Sequence, residues 1–479
     1  MRIIIDFLYL LAAVAIAPLA LYRLIRHNRY RAGWAQRLGR IYRRNTAKKC
    51  IWLHAVSVGE VNAAKTILDE LERKFADYEI IVSTTTDTGF ARATAVFGSR
   101  FEVVYFPFDF SWIISRAFRS IRPSLCLLME LEVWPNFVRI AKRLGVPVVV
   151  VNGRISDRSF KSYSRIRPLI KTMFSKVTLV LAQTDEYARR FARLGCNNVI
   201  VSGSLKYDTA QTNDKVEGAD IVARQLGVSC HCEPERSEGA AISQPADGTS
   251  VAEFILSEVE GRPRNDAAKS ERIWVLGGTG NDEEAILLEV YQQLKQDSRF
   301  ADLRLVIVPR KPERFDEVAQ LIQDRVLPLI RYSQVKDSST DKSIINNQLS
   351  VGAVVLGDTM GDLRKFYSLA TIIFVGRSLV PMGGSDMMEA AALGKCTIFG
   401  PHAFNFKQAV DALLADNGAI MVKDKDDLLT VMKKCLTDPN YAQTIAQNGR
   451  KVIIKNQGAT RKTIDEVTKI LNPVFRSGL

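Results

Sequence analysis

Short, continuously apolar runs rich in β-branched residues recur along this chain, each followed by a helical pattern. The first series comprises Ile51–Ala55, Ile80–Thr84, Val103–Phe106, Leu125–Met129, Val146–Val151, Val177–Ala182 and Val199–Ser202. A strand exposed on one face alternates apolar with polar residues, whereas a strand covered on both faces does not. The runs therefore predict a parallel sheet with helices on either side, and that α/β domain closes near residue 207. The rhythm restarts at Ile273–Leu276 and continues through Leu305–Val308, Ala353–Leu356, Ile372–Val375, Thr397–Phe399 and Ala419–Val422. A length of 479 residues suits two domains of roughly 150 to 200 residues each. The expected fold is two doubly wound, Rossmann-like α/β domains, 23–207 and 273–479, facing each other across a cleft. Residues 208–272 connect them, and about 229–271 break the pattern with Pro, Gly, Ser and charged residues. That stretch reads as a solvated insert, resembles translated mobile repeat elements, and is expected to be dispensable.

Residues 1–22 form a separate segment. From Ile3 to Leu21 only Asp6, Tyr9 and Pro18 interrupt an apolar run, and about 19 helical residues come close to the roughly 30 Å of a bilayer core. Arginines follow the run instead of preceding it, which predicts an uncleaved inner-membrane anchor with the catalytic domains on the cytoplasmic side. Asp6 supports a second reading, in which the helix lies flat or buries itself in the catalytic domain. The net charge of +14 attracts anions. Because Arg23, Arg26, Arg29, Arg31, Arg37, Arg40, Arg43, Arg44, Lys48 and Lys49 cluster after the apolar run, the expected partner is anionic lipid, not nucleic acid.

Seven scattered cysteines, an odd number without a repeated CxxC spacing, argue against a disulfide framework. Cys126 and Cys396 lie in strand-like runs as core residues. Cys230-His231-Cys232 has no distant ligand pair, so neither a metal nor another cofactor is expected.

Chemistry is expected where strands end. Glu60 follows the first strand and a glycine, at the start of a helix whose partial positive charge favours an ionised, proton-accepting carboxylate. Ser57-x-x-Glu60 equally fits a capping box. Glu130 and Glu132 follow the fourth strand, where they either face one side of an extended segment or serve the helix beginning near Pro135. Lys206 ends the first series and could neutralise a departing phosphate or remain solvated. In the second series, Trp274–Gly280 is a glycine-rich turn without the GxGxxG spacing, which argues against NAD and FAD. Arg310 offers a guanidinium fork for phosphate or carboxylate. The stretches Gly357–Leu363 and Gly383–Gly394 place glycines before helices, where amides could hold a nucleotide phosphate and Glu389 could accept ribose hydroxyls.

These motifs together resemble the bacterial 3-deoxy-D-manno-octulosonic acid (Kdo) transferases. The resemblance rests on His54–Glu60, Glu130–Asn136, Gly203–Asp208, Pro309–Phe315, Gly357–Asp362 and Phe399–Phe406, in family order. It implies a GT-B glycosyltransferase that transfers Kdo from CMP-Kdo to the lipid A precursor lipid IVA with inversion, releasing CMP and needing no metal. It further implies Glu60 as general base, with Glu130 and Lys206 stabilising the transition state. CMP binding would fall to Pro309, Arg310, Met360, Gly361, Asp362, Asp386, Met387, Met388 and Glu389. Gly278-Thr-Gly280 and Gly383-Gly-Ser-Asp386 depart from the family's histidine-containing blocks. Two rival readings are a GT-B transferase using a UDP-sugar, and a non-catalytic membrane-bound nucleotide-binding protein.

Overall fold

Valine, isoleucine and leucine dominate the strand runs, so each strand suits a position buried on both faces, and the chain builds two such sheets. The computed structural model describes residues 32–213, 215–228, 271–336 and 352–472, with residues 5–7, 9–11, 14, 15, 18 and 22 of the N-terminal segment. The insert expected over about 229–271 and most of the anchor expected over 1–22 lie outside the described residues. Among the described residues, no helix is long and apolar enough to cross a membrane.

Unit 1 comprises residues 1–210 and 456–479. Its strands are β1 (Lys49–His54), β2 (Tyr78–Thr84), β3 (Glu102–Tyr105), β4 (Leu125–Met129), β5 (Val148–Gly153), β6 (Leu179–Ala182) and β7 (Val199–Val201). They pair in parallel in the order β3-β2-β1-β4-β5-β6-β7. One face is filled around Trp52, whose ring meets Phe106, Phe118 and Phe137 at centroid distances of 5.8, 5.6 and 5.1 Å. Its indole N–H donates to Ser83 Oγ at 2.8 Å, so the buried polar atom is satisfied.

Unit 2 comprises residues 211–455. Its strands are β8 (Arg272–Thr279), β9 (Leu303–Pro309), β10 (Leu329–Arg331), β11 (Val354–Leu356), β12 (Ile372–Val375), β13 (Cys396–Phe399) and β14 (Ile420–Met421). They pair in parallel in the order β10-β11-β9-β8-β12-β13-β14. Strand β10 is absent from the sequence reading because its apolar run is only Leu329-Ile330, with Pro328 before it and Arg331 after it. In each sheet the chain begins at an inner strand, builds one side and then crosses to the other, so that β1 and β4 in unit 1, and β8 and β12 in unit 2, are neighbours whose connections leave in opposite directions. Ligands of open α/β sheets bind beside the carboxyl ends of the strands at such a point.

The unit boundaries differ from the sequence reading in two places. Residues from 456 onward belong to unit 1, because Ala459, Ile464 and Val467 form an apolar stripe on the helix Ala459–Leu471 that completes the core beneath the helix Val58–Lys74. Residues 211–228, read as a connection, belong to unit 2: the helix Ala219–Gln225 packs on the helix Leu363–Leu369, and buried Arg304 donates to Leu226 O at 2.6 Å. The N-terminus of the helix Ala459–Leu471 is capped from a distance. Asp208 accepts from the N–H of Gly458 at 2.7 Å and from the N–H of Thr460. Asp208→Ala should therefore lower stability by about 0.5–2 kcal/mol, the usual cost of a lost cap, read as an earlier chemical-denaturation midpoint.

The described part of the N-terminal segment is tied to unit 1 by its polar residues. Asp6 accepts from the Ser111 N–H at 2.9 Å and from Asn136 Nδ2 at 3.0 Å, and Tyr9 donates to Asp109 at 3.0 Å. Asp109 in turn accepts from the N–H groups of Asn136 and Phe137 at 2.9 and 2.8 Å. Asp6 and Asp109 thus satisfy open donors at the starts of the helices Ser111–Ile121 and Pro135–Arg143, neither of which has its own side-chain cap.

Candidate functional site

In unit 1 the sheet edge at the β1/β4 reversal carries a cluster of carboxylates. Ser57 caps the helix Val58–Lys74, accepting from the Glu60 N–H at 3.4 Å and donating to Glu60 Oε1 at 2.9 Å. Glu60 Oε2 accepts from the Val56 N–H at 2.9 Å. The capping box is thus real, and the carboxylate curls back over its own first turn, but these bonds leave lone pairs on both oxygens. Burial raises the Glu60 pKa above the ordinary glutamate value; the Val56 N–H opposes this and the charge of Glu130 adds to it.

Glu130 adopts the left-handed region at φ 53°, with its N–H donating to Val151 O at 2.9 Å. A non-glycine residue held there stores strain, which concentrates at functional positions. Glu132, weighed with Glu130 in the sequence but given no role, accepts from Trp134 Nε1 at 3.1 Å. Burial, then the charge of Glu60, lifts its pKa from 4.5 to about 7, against the pull of the Trp134 hydrogen bond. The folded state therefore keeps a proton that the unfolded chain has lost between these values, so stability falls as pH rises through that window. Glu132→Gln should flatten this decline between about pH 5 and about pH 8, measured by urea midpoints. An unchanged slope would contradict the assignment.

Lys206 reaches the same sheet edge from β7. It lies in the helix Leu205–Thr209, which packs against the helix Val58–Lys74 that begins beside Glu60. The Leu205 N–H donates to Asn152 Oδ1 at 3.2 Å, fixing this helix to the end of β5. His54, at the end of β1, is a buried neutral ring stacked 3.8 Å from Phe106, its pKa pushed down by burial to about 3.

In unit 2 the assigned nucleotide residues fall at the carboxyl ends of β9, β11 and β12. Arg310, just after Pro309, is exposed, and its N–H donates to Thr279 O at 3.1 Å across the glycine turn. Glu389 is half-buried; burial and the charge of Asp386 raise its pKa, while Arg364 and Arg310 lower it. Tyr367, fully buried among these charges, packs over Gly277, where a Cβ would lie 1.9 Å from the tyrosine hydroxyl. Met387 and Met388 are core side chains, so any ligand contact there runs through backbone. The Met388 N–H already donates to Asp386 at 2.9 Å.

Asp362 is buried and accepts from Lys336 at 2.7 Å, Lys365 at 2.8 Å and Thr359 at 2.7 Å. Burial alone would raise its pKa, but these bonds win and hold it at about 2. Its side chain thereby shapes the turn that exposes Met360 and places Gly361 at φ 91°. Two residues that the sequence did not mark complete the frame. Glu283, wholly buried, accepts from the N–H groups of Arg377 at 2.5 Å and of Ser378 and Leu379 at 2.9 Å each. Glu284 pairs with Arg314 at 2.6 Å, giving that arginine of the Pro309–Phe315 block a structural partner. Among the described residues, no three His, Cys, Asp or Glu side chains converge to hold a metal ion.

Residues 32–209 match the family described as 3-deoxy-D-manno-octulosonic-acid transferase (kdotransferase). The chain is 30% identical over 471 residues to a 3-deoxy-D-manno-octulosonic acid transferase of Bordetella pertussis, covering 95% of this chain and 97% of the relative. It is 29% identical over 418 residues to the Haemophilus influenzae transferase of that name, covering 87% and 86%. Among solved structures, a glycosyltransferase from Rickettsia africae matches with a TM-score of 0.51 at 14% identity, over 89% of this chain and 99% of that one, a likeness of fold alone.

Proposed function

The chain belongs to the 3-deoxy-D-manno-octulosonic acid transferase family and is a glycosyltransferase acting in lipopolysaccharide synthesis; from that premise we propose that it transfers Kdo from CMP-Kdo to lipid IVA with inversion, releasing CMP. The observation that carries this reading is the Glu60–Glu130–Glu132 cluster at the sheet reversal of unit 1, where burial and mutual repulsion raise the proton affinity of Glu60 and Glu132. Glu60 takes the proton from the attacking hydroxyl of the acceptor sugar as that oxygen bonds to the anomeric carbon. The bond from that carbon to the phosphate oxygen breaks with inversion, and its electrons leave with CMP. Glu130, strained into position, and Lys206, a cation, stabilise charge that develops during transfer.

Pro309, Arg310, Met360, Gly361, Asp362, Asp386, Met387, Met388 and Glu389 supply the CMP site. Arg310 meets the anion, Glu389 accepts from ribose hydroxyls, and Asp362 acts by shaping its turn. Residues 1–22 and the arginines that follow them hold the enzyme at the cytoplasmic face of the inner membrane against anionic lipid. Phe7, Leu10, Leu11 and Val14 are all more than half exposed, which supports an apolar surface on that segment.

A donor screen tests this reading. Purified full-length protein should release CMP from CMP-Kdo when lipid IVA is present and should not consume UDP-sugars. Turnover of a UDP-sugar, or CMP binding without product, would favour one of the two rival readings.

A further inference from the structure

Three strands, β8, β9 and β12, end at the glycine turn of unit 2, and Arg377 stands beside it. Arg377 follows β12 at φ 60°, a left-handed conformation that a long side chain rarely adopts. Its backbone is held there by Glu283, which accepts the Arg377 N–H at 2.5 Å and the next two N–H groups at 2.9 Å. The side chain lies over Gly280: a Cβ at that position would sit 2.9 Å from Arg377 Cγ and 2.6 Å from Met382 Sδ. The guanidinium donates to Met382 O at 3.2 Å.

The turn holds a second, independent signal. Thr279 is 1% exposed, and its hydroxyl has no hydrogen-bond partner, an uncommon state for a buried polar atom. Thr279 is flanked on one side by Arg310, whose N–H donates to Thr279 O at 3.1 Å. On the other side lies Gly376, where a Cβ would stand 2.5 Å from Thr279 Cα. The two arginines therefore bracket one turn at the carboxyl ends of β9, β8 and β12, the reversal point of this sheet. The helix Glu283–Lys295 that follows begins with two acidic residues, Glu283 and Glu284. Positive charge at this turn consequently comes from the arginines, not from the helix terminus.

We propose that Arg377, with Arg310 and the Thr279 hydroxyl, binds the anionic group of the sugar-nucleotide donor. Both a phosphate and a sugar carboxylate present the paired oxygens that a guanidinium fork and a hydroxyl recognise. Met382 Sδ and Arg377 Cγ together occupy the space that a side chain at Gly280 would need. The inference rests on the reading of unit 2 as the donor-nucleotide site.

The test uses full-length protein and Arg377→Gly, because glycine suits the left-handed position and removes only the side chain. Its melting temperature should equal or exceed that of the parent. If the anion is phosphate, calorimetry should show CMP binding weakened by about 10- to 100-fold, the usual effect of losing a charged hydrogen bond. If it is the sugar carboxylate, CMP binding should hold while KM for CMP-Kdo rises by about that factor, with kcat little changed. Gly280→Ala, which crowds both Arg377 and Met382 without removing either, should weaken the same ligand. Arg310→Ala is the control for the site as a whole. If Arg310→Ala weakens CMP binding while Arg377→Gly alters neither CMP binding nor donor KM, this inference fails and the donor-site reading stands. If the parent protein does not bind CMP, both fail.

Discussion

Glu60→Gln is expected to leave unit 1 folded and to lower kcat by about 10²- to 10⁴-fold, the range for loss of a general base. Glutamine is the decisive substitution because Glu60 has two jobs in one carboxylate. Its capping bonds use both oxygens, one accepting from the Val56 N–H and one from the Ser57 hydroxyl; glutamine keeps an acceptor oxygen for the Val56 N–H, and its amide N–H can donate to Ser57 Oγ once that hydroxyl turns. Proton acceptance needs a carboxylate, which glutamine lacks. Glu60→Ala removes both functions and should also lower stability by about 1 kcal/mol, the usual cost of a lost cap. Melting temperature and kcat measured on both variants separate the roles. A Glu60→Gln protein that turns over normally, beside an unstable Glu60→Ala protein, would reduce Glu60 to a cap.

Glu283→Ala is expected to destabilise unit 2 and abolish measurable CMP binding together. Three backbone N–H groups, from Arg377, Ser378 and Leu379, converge on its carboxylate. Each buried donor left without a partner costs about 1–3 kcal/mol, less wherever water replaces the oxygen. The loop they belong to runs along the end of β12, where Arg377 adopts its left-handed conformation and Gly376 touches Thr279. Releasing it frees Arg377 to leave that conformation and opens the turn beside Arg310. Thermal denaturation should show the loss of stability, and CMP calorimetry the loss of affinity. Glu283→Gln, which keeps one acceptor oxygen, should fall between the parent and Glu283→Ala in both.

Much of the architecture was legible because burial on both faces leaves a plain mark. Runs such as Leu125–Met129 and Ile372–Val375 are apolar without alternation, and they form central strands. Site candidates were legible for a related reason: polar residues just beyond a parallel strand lie at the carboxyl edge of its sheet, as Glu60, Glu130 and Arg310 do after β1, β4 and β9. What the sequence did not reveal depends on distant contacts. Glu283 meets a loop that follows it by some ninety residues, and it reads as one acidic residue in a first helical turn. Arg377 occupies a conformation usually marked by glycine, so its residue type conceals the turn. The helix Ala459–Leu471 follows the last strand of unit 2 yet its apolar stripe fits unit 1, a choice of partner that periodicity cannot express. Asp362 was expected at the ligand, and its carboxylate accepts from two lysines and a threonine, partners that its position after a strand does not announce.

The central claim is that this chain moves Kdo from a CMP donor onto a lipid A precursor through Glu60. Mass spectrometry of the lipid recovered after incubating purified protein with lipid IVA and CMP-Kdo tests it most directly. The account predicts a lipid heavier by one or more Kdo residues with the parent protein, and little or none with Glu60→Gln at equal protein and time. Unmodified lipid from folded, CMP-binding parent protein, or equal product from both proteins, would contradict it.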